Sequence, residues 1–198
     1  EAIRLSVPII KEIIRAYRIP ILEVAGYEAD DVIGTLATEA GRQGIITYMM
    51  TPDKDYGQLV SDKVFMYRPK HTGGFEVMGV DEVKAKFDIQ SPAQVIDMLG
   101  LMGDSSDNIP GCPGVGEKTA QKLIAEFGSI ENLLEHTDQL KGALKTKVET
   151  NREMITFSKF LATIKIDVPI QLDMDSLVRE QADEDSLRQI FEELEFRT

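Results

Sequence analysis

The chain has 198 residues, 42% hydrophobic and 28% charged, with a formal net charge of −12. That length supports one sizeable core, or one core with a small helical appendage; no apolar run is long enough to span a bilayer, and the first residues lack the pattern of a signal peptide. The acidic balance excludes a protein that simply coats nucleic acid, and the single cysteine, Cys112, excludes an intrachain disulfide framework and fits a reducing, cytoplasmic setting.

Val7, Ile10, Ile13, Ile14 and Tyr17 recur at helical spacing, and Pro20 stops that helix. Ile21 to Val24 reads as a short strand. A second helix runs from about Asp30 to Arg42 on Val32, Ile33, Leu36, Ala37 and Ala40. Ile45 to Thr51 is an apolar run suited to a buried strand. This alternation predicts parallel strands joined by crossover helices, an α/β layer.

From Lys63 to Met78 two strands flank a His71–Gly74 turn, a hairpin signal. Helices are expected at about Val80–Phe87 and Pro92–Met102. Beyond Gly103 a loop rich in Gly, Pro, Asp and Ser leads into helices at roughly Glu117–Phe127, Ser129–Glu135 and Lys145–Ile164, a small all-helical module. A last amphipathic helix carries Leu187, Ile190, Phe191 and Leu194. The expected division is a metal-binding α/β core over 1–108, a DNA-binding helical module over 109–165, and a C-terminal junction over 166–198.

Three acidic clusters fall at the edges of elements: Glu28, Asp30 and Asp31 before the second helix, Asp53 and Asp55 after the second strand, and Asp104 and Asp107 in the Gly103 loop. Any one of them alone reads as helix caps or Asx-turns. Ligand sites in open parallel sheets form beyond the carboxyl ends of the strands, so the first two clusters are placed where their side chains could converge. Converging carboxylates repel one another unless cations intervene. Oxygen ligands without a His or Cys set favour Mg²⁺ or Mn²⁺ over Zn²⁺. Two such ions about 4 Å apart can activate water and stabilise a leaving oxygen. His71 and His136 are separated from all three clusters and read as surface residues.

Gly114–Val115–Gly116 opens a helix at once. The turn exposes backbone N–H groups to a phosphate, with Lys118, Thr119 and Lys122 beside it. Such a grip positions DNA without reading bases. The spacing fits neither the dinucleotide fingerprint nor a P-loop.

Gly26–Tyr27–Glu28–Ala29–Asp30–Asp31, Thr51–Pro52–Asp53–Lys54–Asp55, Gly103–Asp104–Ser105–Ser106–Asp107–Asn108 and Gly114–Val115–Gly116–Glu117–Lys118–Thr119 stand in the order of a known family. Together they resemble the 5′ nuclease domain of bacterial DNA polymerases I, related to the flap endonucleases. The resemblance implies a PIN-like α/β nuclease fold with a helix–three-turn–helix module. It makes Glu28, Asp30 and Asp31 ligands or near-ligands of one metal, places Asp53 and Asp55 between the sites, and gives Asp104 and Asp107 to the second. Asp30, Asp53, Asp55 and Asp107 would be catalytic, and K⁺ would sit at the glycine hairpin.

The implied substrates are duplex DNA with a 5′ flap or nicked end and RNA primer–DNA hybrids. The implied surroundings are polymerase domains in the same polypeptide and a bacterial, nucleoid-associated location. The family's first strand, two further aspartates and a basic arch have no counterpart here. The chain is therefore expected to be a fragment that binds duplex weakly and cleaves poorly or not at all. Two other readings stay open: a non-catalytic duplex-DNA-binding module, and a Mg²⁺ phosphohydrolase acting on small molecules.

Overall fold

The computed structural model describes residues 2–70 and 72–196. In chain order they form α1 (Ala2–Ala16), α2 (Ala29–Arg42), β1 (Thr47–Met50), β2 (Val64–Pro69), β3 (Phe75–Met78) and α3 (Val80–Phe87). There follow α4 (Val95–Met102), α5 (Glu117–Phe127), α6 (Ile130–Glu135), α7 (Gly142–Thr150), α8 (Arg152–Ala162) and α9 (Glu184–Glu193). They divide into two compact units, Glu28–Val168 and the combination of Glu1–Tyr27 with Pro169–Thr198. No helix among the described residues is long and apolar enough to cross a membrane.

The smaller unit joins the two ends of the chain. Asp183 caps α9 by accepting from the Ser186 N–H, and its own N–H donates to the Ala16 carbonyl at the end of α1, at 2.8 Å. The strand expected over Ile21–Val24 is absent: the segment is irregular, and Leu22 is 41% exposed. Apolar content gave it strand propensity, but no neighbour offers a hydrogen-bonding edge, and propensity without a ladder makes no strand.

The larger unit holds a three-stranded sheet in the order β1-β2-β3, with β1 and β2 parallel and β2 and β3 antiparallel. The expected hairpin is present, with Met66 opposite Met78 and Tyr67 opposite Val77. The surface placement of His71 falls outside the described residues. Alternation along the strands turns Met49, Val64, Met66 and Met78 into the core. The other face carries a run of rings, Tyr48 over Phe65 and Tyr67 over Phe75 with centroids 5.6 and 4.6 Å apart. The expectation of a buried strand at 45–51 is thus corrected. β1 is four residues long and covered on one side only, leaving Tyr48 and Met50 at 57% and 72% exposure. The connection from β1 to β2 is also shorter than a crossover helix; it is the 3-10 turn Lys54–Leu59.

The helices form the rest of the core. α4 (VIDMLGLM) is apolar almost all round, as a helix buried on every side must be, and Val95, Met98, Leu99 and Leu101 are fully buried. It packs on α8, which contributes Ile155, Ser158 and Ala162. The single helix expected over Lys145–Ile164 is two. Asn151 separates them with φ −109° and ψ 22°, and its side-chain amide donates to the Lys147 carbonyl at 2.8 Å. A short amide side chain that binds local backbone competes with the helical ladder, and here it ends α7. His136, also read as a surface residue, is half-buried at the end of α6, with Nδ1 2.9 Å from the Asn132 carbonyl oxygen.

Candidate metal centre and nucleic-acid interface

All of the acidic and hairpin residues singled out in the sequence lie within Glu28–Val168. After β1 the Thr51 hydroxyl accepts from the Asp53 N–H, and Asp53 Oδ1 in turn accepts from the Asp55 N–H at 3.0 Å. These local bonds start the 3-10 turn and fix its handedness, so successive side chains point differently. Asp53 stays exposed, whereas Asp55 and Tyr56 are 9% and 7% exposed.

The Gly103 loop is built to equal rigidity. Asp104 and Ile109 exchange backbone hydrogen bonds of 2.9 and 2.8 Å, and Asp104 Oδ1 accepts from the Ser106 N–H at 2.8 Å. Gly103 and Gly111 lie back to back at its neck, both at positive φ (74° and 63°). A Cβ on Gly103 would stand 2.7 Å from the Ile109 carbonyl oxygen, and one on Gly111 would collide with the Gly103 backbone. Only glycine fits either position. The neck is bolted to α8, where the buried Ser158 hydroxyl accepts from the Gly111 N–H at 2.9 Å.

These two rigid pieces bring Asp55, Asp104 and Asp107 together, with one carboxylate oxygen of each within 4.8 Å of the others. Asp55 and Asp104 are buried and Asp107 is exposed, so the group opens to solvent on one side. Burial raises the Asp55 carboxyl to about 6, helped by the charges of Asp53, Asp104 and Asp107 and opposed by Lys54. The ammonium of Lys54 hydrogen-bonds Asp104 and lies 3.5 Å from Asp55 Oδ1. Burial alone would lower its pKa, but the bond to Asp104 and the charges of Asp55 and Asp104 outweigh that and raise it. Asp104 is held below the usual carboxylate range: burial works against this, and the bonds from Lys54 and Ser106 prevail.

Asp55 Oδ1 is buried and has no hydrogen-bond partner. A buried carboxylate oxygen left without a donor is costly unless a cation completes it. The donor set is all oxygen, and the residues fit a hard divalent ion.

The charges of the α2 acids reach Tyr56, the residue after Asp55. Its hydroxyl is pushed up to about 12 by burial and by the charges of Asp30, Asp53 and Asp31. Asp30 and Asp31 are half-exposed in the first turn of α2, and Glu28 is its exposed N-cap residue. Asp31 spends one oxygen on structure, accepting from the Lys165 N–H at 2.8 Å. Glu28, Asp30 and Asp31 are thus not among the three acids that share a common point.

At the hairpin, Gly114 and Gly116 are exposed, as are Lys118 and Lys122, and Thr119 is half-exposed in the first turn of α5. Val115 is 4% exposed and its N–H donates to the Cys112 carbonyl at 2.9 Å, so this residue anchors the turn between two exposed glycines. Lys147 of α7 donates to the Gly114 carbonyl at 3.3 Å. Sequence reasoning missed Lys147, Tyr56, Ser158 and Lys54. Of these, only Lys54 carried a signal, a cation wedged between two acids.

Residues 1–88 match the N-terminal resolvase-like domain of the 5′-3′ exonucleases, and residues 90–185 match their C-terminal SAM fold. The chain belongs to the 5′-3′ exonuclease family. Within that family it is 44% identical to DNA polymerase I of Bacillus subtilis (strain 168) over 195 residues, 98% of this chain and 22% of that protein. To DNA polymerase I of Bacillus caldotenax it is 42% identical over 193 residues, 96% of this chain and again 22% of the relative. The 5′-3′ exonuclease chain therefore spans less than a quarter of the curated relatives it matches.

Two solved structures share its fold. One is the T5 5′-exonuclease with divalent zinc ions bound, at TM-score 0.65 and 22% identity, covering 88% of this chain and 61% of that one. The other is the catalytic core of Rad2 in complex with DNA substrate, at TM-score 0.65 and 18% identity, covering 94% and 63%. This is the PIN-like nuclease fold expected from the sequence.

Proposed function

We propose that this chain is a divalent-metal-dependent 5′ nuclease unit that hydrolyses DNA phosphodiesters at 5′ flaps or nicked ends and removes RNA primers paired to DNA. The observation that carries the reading is the convergence of Asp55, Asp104 and Asp107 around a buried Asp55 oxygen that accepts no hydrogen bond and faces the Lys54 ammonium at 3.5 Å. Asp55, Asp104 and Asp107 would hold one Mg²⁺ or Mn²⁺. Asp53, Asp30, Asp31 and Glu28 would serve a second ion, directly or through water. Bound there, the cations would supply Lewis-acid activation of water and stabilisation of the departing oxygen.

The chain's own residues do the rest. The capped turn at Asp53 and the glycine neck at Gly103 and Gly111 hold the carboxylates still, as in-line chemistry requires. The exposed backbone at Gly114 and Gly116, with Lys118, Thr119 and Lys122, would hold the duplex by its phosphates, in a helical module over 109–165 attached to the metal-binding part over 1–108. A K⁺ ion at the hairpin carbonyls belongs to the same proposal. The setting proposed is a bacterial DNA polymerase I polypeptide in the cytoplasm, with 166–198 leading toward the polymerase domains.

The test is calorimetric titration with Mn²⁺ of the chain and of Asp107→Asn, followed by Mg²⁺-dependent cleavage of a 5′-flap duplex. Saturable binding that Asp107→Asn weakens supports the reading, and metal-dependent cleavage extends it to the reaction. Duplex binding with no metal uptake in either protein would instead establish a non-catalytic DNA-binding module, in which Lys54 is the counter-ion of Asp55 and Asp104.

A further inference from the structure

The carboxylate group already contains a cation, and it is supplied by the chain itself. Lys54 lies between Asp53 and Asp55 in sequence, at the first position of the 3-10 turn, and its ammonium crosses to Asp104 on the Gly103 loop. It bonds Asp104 Oδ2 while Oδ1 of the same carboxylate is held by Ser106, and it stands 3.5 Å from the otherwise unpartnered Oδ1 of Asp55. The lysine side chain is one-third exposed, at 33%, so its charge faces the acids with water screening it on one side only.

We propose that Lys54 is an internal counter-ion that a divalent cation must displace from Asp104 and Asp55, so that this lysine sets the metal affinity of the site. The inference rests on the metal-dependent reading above and goes beyond it by naming the residue against which metal competes. Two cations cannot share the same pair of oxygens at contact distance. Metal uptake therefore breaks the Lys54–Asp104 bond, and the free energy of that bond is subtracted from the affinity. Lys54 also has a second effect in the absence of metal: it holds the turn to the loop and lets the acids remain charged side by side. Its role is positioning and charge balance, and it need not touch the reacting atoms.

The experiment compares Mn²⁺ binding by calorimetry, and melting temperature in EDTA and in Mn²⁺, for the chain, Lys54→Met and Lys54→Gln. Both variants are expected to melt lower in EDTA, because the acids lose their internal neutralisation. They should also bind Mn²⁺ roughly tenfold or more tightly, the size expected from removing one nearby positive charge. Their melting temperatures should rise further on adding Mn²⁺ than that of the parent chain. A lysine with a purely structural role would lower stability without tightening binding. Unchanged or weaker Mn²⁺ binding by a folded Lys54→Gln, alongside binding by the parent chain, overturns the displacement. Binding by the variants but not by the parent chain supports it. No binding by any of the three removes the metal-dependent reading itself, and the inference with it.

Discussion

Asp97 on α4 and Lys159 on α8 meet at 2.6 Å inside the helical part, and the same aspartate oxygen accepts from the Ile130 N–H at 2.9 Å. Asp97 is 4% exposed, and Lys159 also bonds Glu131 at 2.8 Å. Lys159 and its two acids thus tie α4, α6 and α8 together, and Arg152 of α8 adds a bond to the Leu134 carbonyl of α6 at 2.7 Å. Asp97→Ala would leave a mostly buried ammonium with only an exposed partner. A loss of about 3 kcal/mol is expected in urea denaturation, against a smaller loss for Asp97→Asn, which still accepts from Ile130.

The same network has two pH limbs. Burial lowers the Lys159 pKa, but its bonds to Asp97 and Glu131 outweigh that and raise it; its stabilisation is therefore complete below the ordinary lysine value and lost as pH rises through the raised one. Glu131 is held below its ordinary value, burial being outweighed by the bond from Lys159. Its contribution is present above that ordinary value and lost as pH falls through the lowered one. Melting temperature against pH should fall at both extremes, and Lys159→Met should flatten both limbs.

Asp55 acts in the opposite sense. Its carboxyl is raised to about 6, so the folded chain binds its proton more tightly than the unfolded one. Stability from this group is complete below the ordinary aspartate value and declines as pH rises toward 6. In EDTA at neutral pH, Asp55→Asn is expected to melt several degrees higher than the parent chain while losing Mn²⁺ binding. A lower melting temperature for Asp55→Asn under those conditions would show that the carboxylate is stabilising and the cause assigned to its shift is wrong.

The glycine neck gives a sharper prediction. Gly111→Ala adds a methyl group into the Gly103 backbone at a positive φ, and at least about 2 kcal/mol of stability should be lost. Because the neck carries Asp104, Mn²⁺ affinity should fall as well, although no ligand has been changed. Gly73→Ala, where an added Cβ meets nothing within 4 Å although φ is also positive, should cost less and leave Mn²⁺ binding intact.

At the hairpin, Lys118→Ala and Lys122→Ala are expected to weaken duplex binding equally across DNA sequences. Each should reduce the slope of log affinity against log salt by roughly 1. Fluorescence anisotropy at several salt concentrations measures both quantities. A sequence-dependent loss would mean that these lysines read bases.

Much of this molecule can be read from the order of its residues, and what cannot has a common cause. The helices of α2, α3 and α5 follow from periodicity and from Gly and acid punctuation, and they appear close to where those signals put them. Asp55, Asp104 and Asp107 were legible as acids at loop edges. The strand expected at Ile21–Val24 failed because a strand depends on a neighbour that local sequence does not name. The break at Asn151 was hidden because one amide side chain, and no proline or glycine, made it. Tyr56, Lys147 and Ser158 act only across the fold, at separations that no local pattern encodes.

The hydroxyl of Ser158 has a mechanical consequence. It receives the Gly111 N–H while itself donating to the Met154 carbonyl one turn earlier on α8, at 2.7 Å. Gly111 is wedged against Gly103, and Gly103 carries Asp104. A displacement of α8 would therefore reach the three acids through a handful of stiff joints, making load on that helix a natural input to how well their carboxylates are aligned.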